Sequence, residues 1–195
     1  MRNILRFAAG VSQPSAAETE LLQDGPVKNK YLLFSATAGL VVFLDQVTKY
    51  AVTSIMGLHE SFSVVAGFFD ITYVRNPGAA FGFLAGAAPL FRSIFFLAVT
   101  IAAIALIIHY IRGSEEKEPL LIFSLSLILG GAVGNLIDRV RLGEVIDFLD
   151  VYVSSFHWPA FNVADSAISV GAVLILVKML RRQEAPSASS GKENR

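Results

Sequence analysis

The segment GGAVGNLIDRVRLGEVIDFLDVYVSSFHWPAFNVADS, residues 130–166, decides how this chain folds. It begins in the last turns of one long apolar run and ends in the first turn of the next. Along it lie Asp138, Arg139, Asp147, Asp150 and Asp165, all close in sequence to stretches long enough to cross a bilayer. A carboxylate at the centre of a bilayer costs about 3 kcal/mol on insertion scales, so acids placed here need a reason.

Outward from that segment, the chain is built for lipid. Of its 195 residues 54% are apolar, and they come in blocks. About 20 residues span the hydrocarbon, and four blocks reach that length, at 31–52, 90–111, 119–138 and 164–181. The polar ends, 1–30 and 183–195, read as flexible tails. Arg6 breaks the short run Ile4–Val11, which argues against a cleaved signal peptide and leaves at most a short interfacial helix over 2–9. Lys+Arg and Asp+Glu stand at 16 each, so the net charge gives no reason to expect a nucleic-acid partner. There is no cysteine, hence no disulfide, thiol nucleophile or thiolate metal site.

Four crossings put both termini on one side. The tails, the helix ends beside them and the 112–118 link hold eleven Lys and Arg; the other two connections and their helix ends hold five, namely Lys49, Arg75, Arg92, Arg139 and Arg141. The excess of cations predicts cytoplasmic termini. The connections 53–88 and 139–163 then share the outer face, where Asn76, Asp138, Asp147 and Asp165 can meet. Phe69, Ile71 and Tyr73 alternate with Asp70 and Thr72, and Val145–Tyr152 alternates likewise, so both connections predict extended segments. Asn76-Pro77-Gly78 is a turn signal, followed by the small and aromatic run Ala79–Phe83. The expected fold class is an α-helical polytopic membrane protein: four transmembrane helices with a small β-rich extracytoplasmic lobe at the membrane surface.

Each polar residue near the outer end has a plain reading beside a functional one. Asp45 and Lys49, four apart on one helical face, are either a pair marking the membrane boundary or the wall of a site. Asn135, Asp138 and Arg139 share a face at i, i+3 and i+4; Asp138 with Arg139 is equally a structural ion pair. Asp147 sits between Ile146 and Phe148, a setting that disfavours its charged form, whereas Asp150 reads as solvated. Asp165 follows Asn162 into the fourth helix, where a carboxylate stabilises a helix N-terminus and needs no other purpose. His109 has no partner motif and reads as interfacial. Gly130 and Gly134 permit close helix approach.

Two aspartates converging in an apolar, semi-wet cleft cannot both ionise cheaply, and they share a proton. Such a pair can hydrolyse a peptide bond without a metal or a nucleophilic side chain. A proton-conducting transporter is a rival, but it predicts acids at several depths, and here they crowd one end. A scaffold subunit is another, in which the acids only cap helices.

The pieces LDQVTK (44–49), YVRNPGAAFG (73–82), GGAVGNLIDR (130–139), VIDF (145–148) and FNVADS (161–166) occur together in this order. In them the sequence resembles the lipoprotein signal peptidase family, signal peptidase II, over about 31–182. The resemblance implies an intramembrane aspartic endopeptidase with Asp147 and Asp165 as catalytic residues. It implies Asn76, Gly78, Asn135, Asp138, Arg139 and Asn162 as substrate-binding or dyad-supporting residues, and Asp45 and Lys49 as support for the outer end of the site. It further implies diacylglyceryl-modified prolipoproteins as substrates, cleaved before the lipidated cysteine. Contact with membrane lipid, inhibition by cyclic peptides of the globomycin type, no cofactor, no metal, and a monomer in the bacterial inner membrane complete the expectation.

Overall fold

Proline opens three of the four long helices. Its fixed φ suits a first helical turn, and the N–H it lacks would have no partner there. In the computed structural model, which describes residues 26–78, 84, 86–113 and 118–183, α1 runs Pro26–Ile55 and α2 Pro89–Gly113, followed by α3 Pro119–Leu142 and α4 Val163–Gln183. All four are long and apolar enough to cross a membrane. The expected helix over 2–9, the run Ala79–Phe83 and the tail from 184 lie outside the described residues.

Two helix ends differ most from expectation. The first helix starts at Pro26, inside the segment read as a tail, because the proline sets the first turn and nothing after it breaks the helix. The third continues one turn past residue 138, to Leu142. It stops where Gly143 takes φ 77°, a left-handed position open to glycine, and returns its N–H to Arg139 O at 3.0 Å. Arg139 therefore stands on a helix rather than in the connection.

α3 is the hub. Half of its apolar span is buried, against 6–17% for the other three. The hydrophobic effect does not draw helices together in lipid, so small residues that let backbones approach decide the contacts. A Cβ on Gly130 would meet Val41 Cβ at 2.7 Å, and one on Gly134 would meet Asp45 Oδ2 at 2.6 Å, so this side of α3 lies hard against α1. A Cβ on Gly131 would strike the backbone oxygen of Ala164 on α4. Ala38, Ile107, Ile111, Ile122 and Leu129 form one core cluster between α1, α2 and α3.

The two connections at the other end join into one four-stranded antiparallel sheet in the order β1 (Ser61–Val65), β2 (Phe69–Asn76), β3 (Val145–Val153), β4 (Phe156–His157). β2 and β3 come from different connections, and their pairing sets Val74 opposite Asp147 and Asn76 opposite Val145. A second cluster, Val52, Met56, Tyr73, Ile146 and Phe148, seats this sheet on the end of α1. The alternation in 69–73 and 145–152 made the two central strands legible; the exposed β1 and the two-residue β4 are additions.

The glycine contacts lead to a direct test. Gly131→Ala forces a methyl onto α4 backbone and is expected to cost about 1–3 kcal/mol, the usual range for overpacking. It should lower the thermal unfolding midpoint in detergent. Gly39→Ala, with nothing within 4 Å of the new methyl, should leave the midpoint unchanged or slightly raised.

Candidate active site

Three elements meet where α3 and α4 approach the sheet. Asn162 caps α4: its Oδ1 accepts the backbone N–H of Asp165 at 2.9 Å, one of the unpaired donors of the first turn. A second such donor, the N–H of Ala164, goes to Asp45 Oδ1 on α1 at 3.0 Å. With Asn162 and Asp45 making these bonds, the carboxylate of Asp165 is turned elsewhere. Its Oδ1 accepts from Asn135 Nδ2 on α3 at 2.8 Å.

Asp147 lies near the start of β3 and is 2% exposed. Both of its oxygens are engaged by amides: Oδ1 by Asn162 Nδ2 at 2.7 Å, Oδ2 by Asn76 Nδ2 at 3.0 Å. Asn76 reaches it because the strand register sets the two on a diagonal across neighbouring strands. The Oδ1 of Asn76 accepts the N–H of Gly78 at 3.0 Å, which turns its amide nitrogen toward Asp147. Burial, and after it the charge of Asp165, pushes the Asp147 carboxyl up to about 7 from an ordinary 3.8. The amide donors of Asn76 and Asn162 and the charge of Lys49 oppose that rise.

Behind the two aspartates is a buried ionic cluster. Lys49 Nζ stands 2.9 Å from Asp45 Oδ2, 2.7 Å from Asp138 Oδ2 and 3.0 Å from Asn135 Oδ1. Lys49, Asp45 and Asp138 are all 2% exposed or less. Asp138 thus takes Lys49 as its partner, and the expected pair with neighbouring Arg139 gives way, because α1 brings an ammonium directly against this face of α3. Asp138 Oδ2 also accepts the N–H of Ile146 at 3.2 Å, bracing the residue before Asp147. Arg139 points instead across a cleft: its Nη2 is 3.4 Å from Gly78 O, and its guanidinium lies 5.3 Å from the Phe96 ring centre.

That cleft encloses about 700 Å³. Its polar end is formed by Asn76, Gly78, Asn135, Arg139, Asp147 and Asp165. Its apolar walls descend between helices, with Phe96, Val99 and Ala103 from α2, Ile128 and Ala132 from α3, and Ile168 from α4. Trp158, Pro159, Ala160 and Phe161 line another side. All ten residues singled out from the sequence fall in this cleft or directly behind it. Asp150 lies apart, with Oδ2 2.9 Å from His157 Nδ1 on the sheet. His109 is exposed near the end of α2.

Sequence reasoning missed Gln46. Its Nε2 lies 3.1 Å from Asp45 Oδ2 and 3.2 Å from Asp138 Oδ1 and from Gly134 O. It sits inside the LDQVTK piece, but an uncharged amide gives no signal of its own there. The Trp158–Phe161 wall was missed too, although Trp158 and Phe161 flank a proline in a segment bounded by two of the acids.

Fold and site together define a multi-pass membrane protein with a two-carboxylate cleft at one end of a four-helix bundle. A family model described as signal peptidase (SPase) II matches residues 37–181. The lipoprotein signal peptidase of Syntrophus aciditrophicus is 54% identical over 161 residues, covering 83% of this chain and all of its own length. That of Geobacter metallireducens is 51% identical over 161 residues, 83% of this chain and 98% of its own. A bacterial membrane enzyme solved by the in meso method at 2.3 Å superposes with a TM-score of 0.70 at 34% identity, over 87% of this chain and 96% of its own. The chain belongs to the signal peptidase II family.

The raised Asp147 carboxyl has a consequence for stability. A proton bound more tightly in the folded state stabilises it fully below the unfolded value of 3.8, and this contribution is lost as pH rises through about 7. Asp147→Asn removes the titration. Thermal unfolding in detergent should therefore show the variant more stable than wild type at pH 8, by a margin that shrinks toward pH 5.

Proposed function

We propose that this chain is an aspartic endopeptidase that removes signal peptides from diacylglyceryl-modified prolipoproteins, cutting before the lipidated cysteine. The observation that carries this reading is the placement of Asp147 and Asp165 at the polar head of a cleft whose walls are the apolar faces of membrane helices. A substrate held in the bilayer by its acyl chains brings its scissile bond to that depth, and the cleft supplies carboxylates there. Family membership and relatives named lipoprotein signal peptidase support the substrate class.

In this reading one proton is shared between the two acids. The ionised carboxylate takes a proton from water as its oxygen attacks the carbonyl carbon. The protonated one gives its proton to the carbonyl oxygen. Collapse of the tetrahedral diol breaks the C–N bond: the leaving nitrogen takes the proton drawn from water, and a diol hydroxyl returns its proton to the other carboxylate. Asn76, Asn135 and Asn162 offer the acids N–H groups and hold them in place. Arg139 and Gly78 line the polar end of the cleft, where an extended peptide needs partners for its own amides. Among the described residues no group of three His, Cys, Asp or Glu is arranged to hold a metal ion; in this reading the pair itself activates the water. The cation excess near the termini supports a cytoplasmic position for these and a cleft near the outer face of the bacterial membrane.

Reconstituted enzyme is expected to cleave a peptide carrying a diacylglyceryl cysteine after the scissile bond. Asp147→Asn and Asp165→Asn should each lose about three orders of magnitude or more in kcat, because the two act as a unit. Robust cleavage by either variant rejects the pair. Excess chelator should leave the wild-type rate unchanged; inhibition would mean that the water is activated by a metal.

A further inference from the structure

The three amides that face the aspartate pair are oriented in different ways. An amide carries an acceptor on one side and donors on the other, and its partners decide which way it points. Asn76 is fixed by the backbone N–H of Gly78, and Asn162 by the backbone N–H of Asp165. Among the described residues Asn135 has no such backbone anchor. Its Oδ1 accepts from Lys49 Nζ at 3.0 Å, and also from Asn162 Nδ2 at 3.2 Å.

We propose that Lys49 is a positioning residue for the Asp147/Asp165 pair. Its donor-only ammonium fixes Asn135 in the orientation that offers N–H to Asp165, and Gln46 secures the two carboxylates that hold this ammonium. The proposal rests on the dyad reading above.

An ammonium has three N–H donors and no acceptor. Those of Lys49 are all used, on Asp45 Oδ2, Asp138 Oδ2 and Asn135 Oδ1. Only the oxygen of Asn135 can face it, so Nδ2 must face Asp165 Oδ1, at 2.8 Å. Asn162 Nδ2 donates to the same Asn135 oxygen and, with its shortest bond, to Asp147 Oδ1 at 2.7 Å. One cation thus stands one amide from Asp165 and two amides from Asp147. Gln46 donates toward both Asp45 and Asp138. These two bonds hold both counter-charges of Lys49 in place. The charged groups around the pair are Lys49 and Asp45 on α1 and Asp138 and Arg139 on α3. Of the two cations, Lys49 is the one joined to the pair by a chain of bonded amides.

The test compares Lys49→Met and Lys49→Arg with wild type, measuring kcat and KM against pH with a diacylglyceryl-cysteine peptide in detergent. Methionine keeps the length but removes the donors and the charge, and both losses favour the protonated acids. Lys49→Met is expected to lower kcat about tenfold or more with KM within about twofold, and to move both limbs of the pH profile upward by about half a unit or more. Lys49→Arg keeps a donor-only cation and should retain the wild-type limbs even where its kcat falls. Gln46→Leu should move the limbs in the same direction by less. Limbs of Lys49→Met that superimpose on wild type, with a rate reduced only in proportion to the folded fraction, overturn the proposal. If Lys49→Met does not fold, the double variant Lys49→Met/Asp138→Asn is compared with Asp138→Asn, so that the lost anion is common to both, and the limbs decide in the same way. Activity persisting in Asp147→Asn or Asp165→Asn would instead overturn the dyad reading, so the two failures are distinct.

Discussion

The structure depends on one buried ammonium. Lys49 on α1 is held by a carboxylate from its own helix and another from α3, at 2.9 and 2.7 Å. Two acids and one base at this depth are tolerable only together. Removing one partner of a buried pair typically costs about 3–5 kcal/mol, because the charge left behind has neither water nor a counter-ion. The cluster therefore ties α1 to α3 more specifically than their apolar contacts can, since those slide as readily against lipid. It also reaches beyond the two helices, through Asp138 to the N–H of Ile146 in β3 and through Asp45 to the N–H of Ala164 in α4.

The first turn of α4 shows how closely fold and site are joined. A helix N-terminus buried in a bundle needs acceptors for its free N–H groups. Asn162 supplies one from the cap position and Asp45 another from across the interface. Asp165 is thereby released to face Asn135, and the amide of Asn162 is left with its nitrogen toward Asp147. A capping requirement thus fixes the geometry of both acids. The neighbouring Gly131 allows the approach by leaving room for the backbone of Ala164.

Most of the architecture was legible in the sequence because lipid imposes a simple rule: a span must be long, apolar and helical. The four helices followed from the length of the apolar blocks, and the extended segments at 69–73 and 145–152 from alternation. Periodicity did not reveal that these two strands pair with each other, which is what carries Asn76 to Asp147. The ten residues singled out lie in five motif pieces and, Gly78 apart, are polar groups beside apolar spans, which makes them conspicuous. Pairings were harder. Asp138 and Arg139 are adjacent in sequence, yet the partner of Asp138 is Lys49, 89 positions away, because helix packing and not chain proximity decides which charges meet. Gln46 escaped notice because its importance lies wholly in what surrounds it.

The order of these residues along the chain has a further consequence. Lys49, Asp45, Asn135 and Asp138 all precede residue 139, so the charge cluster can close with the first three helices alone. Asp147 follows, then Asn162 and Asp165, and the amide relay is complete only with α4. During synthesis from the N-terminus, these charges can find one another before Asp147 and Asp165 are both present. No fragment ending short of Asp165 holds both acids, so the cluster that backs them can close first.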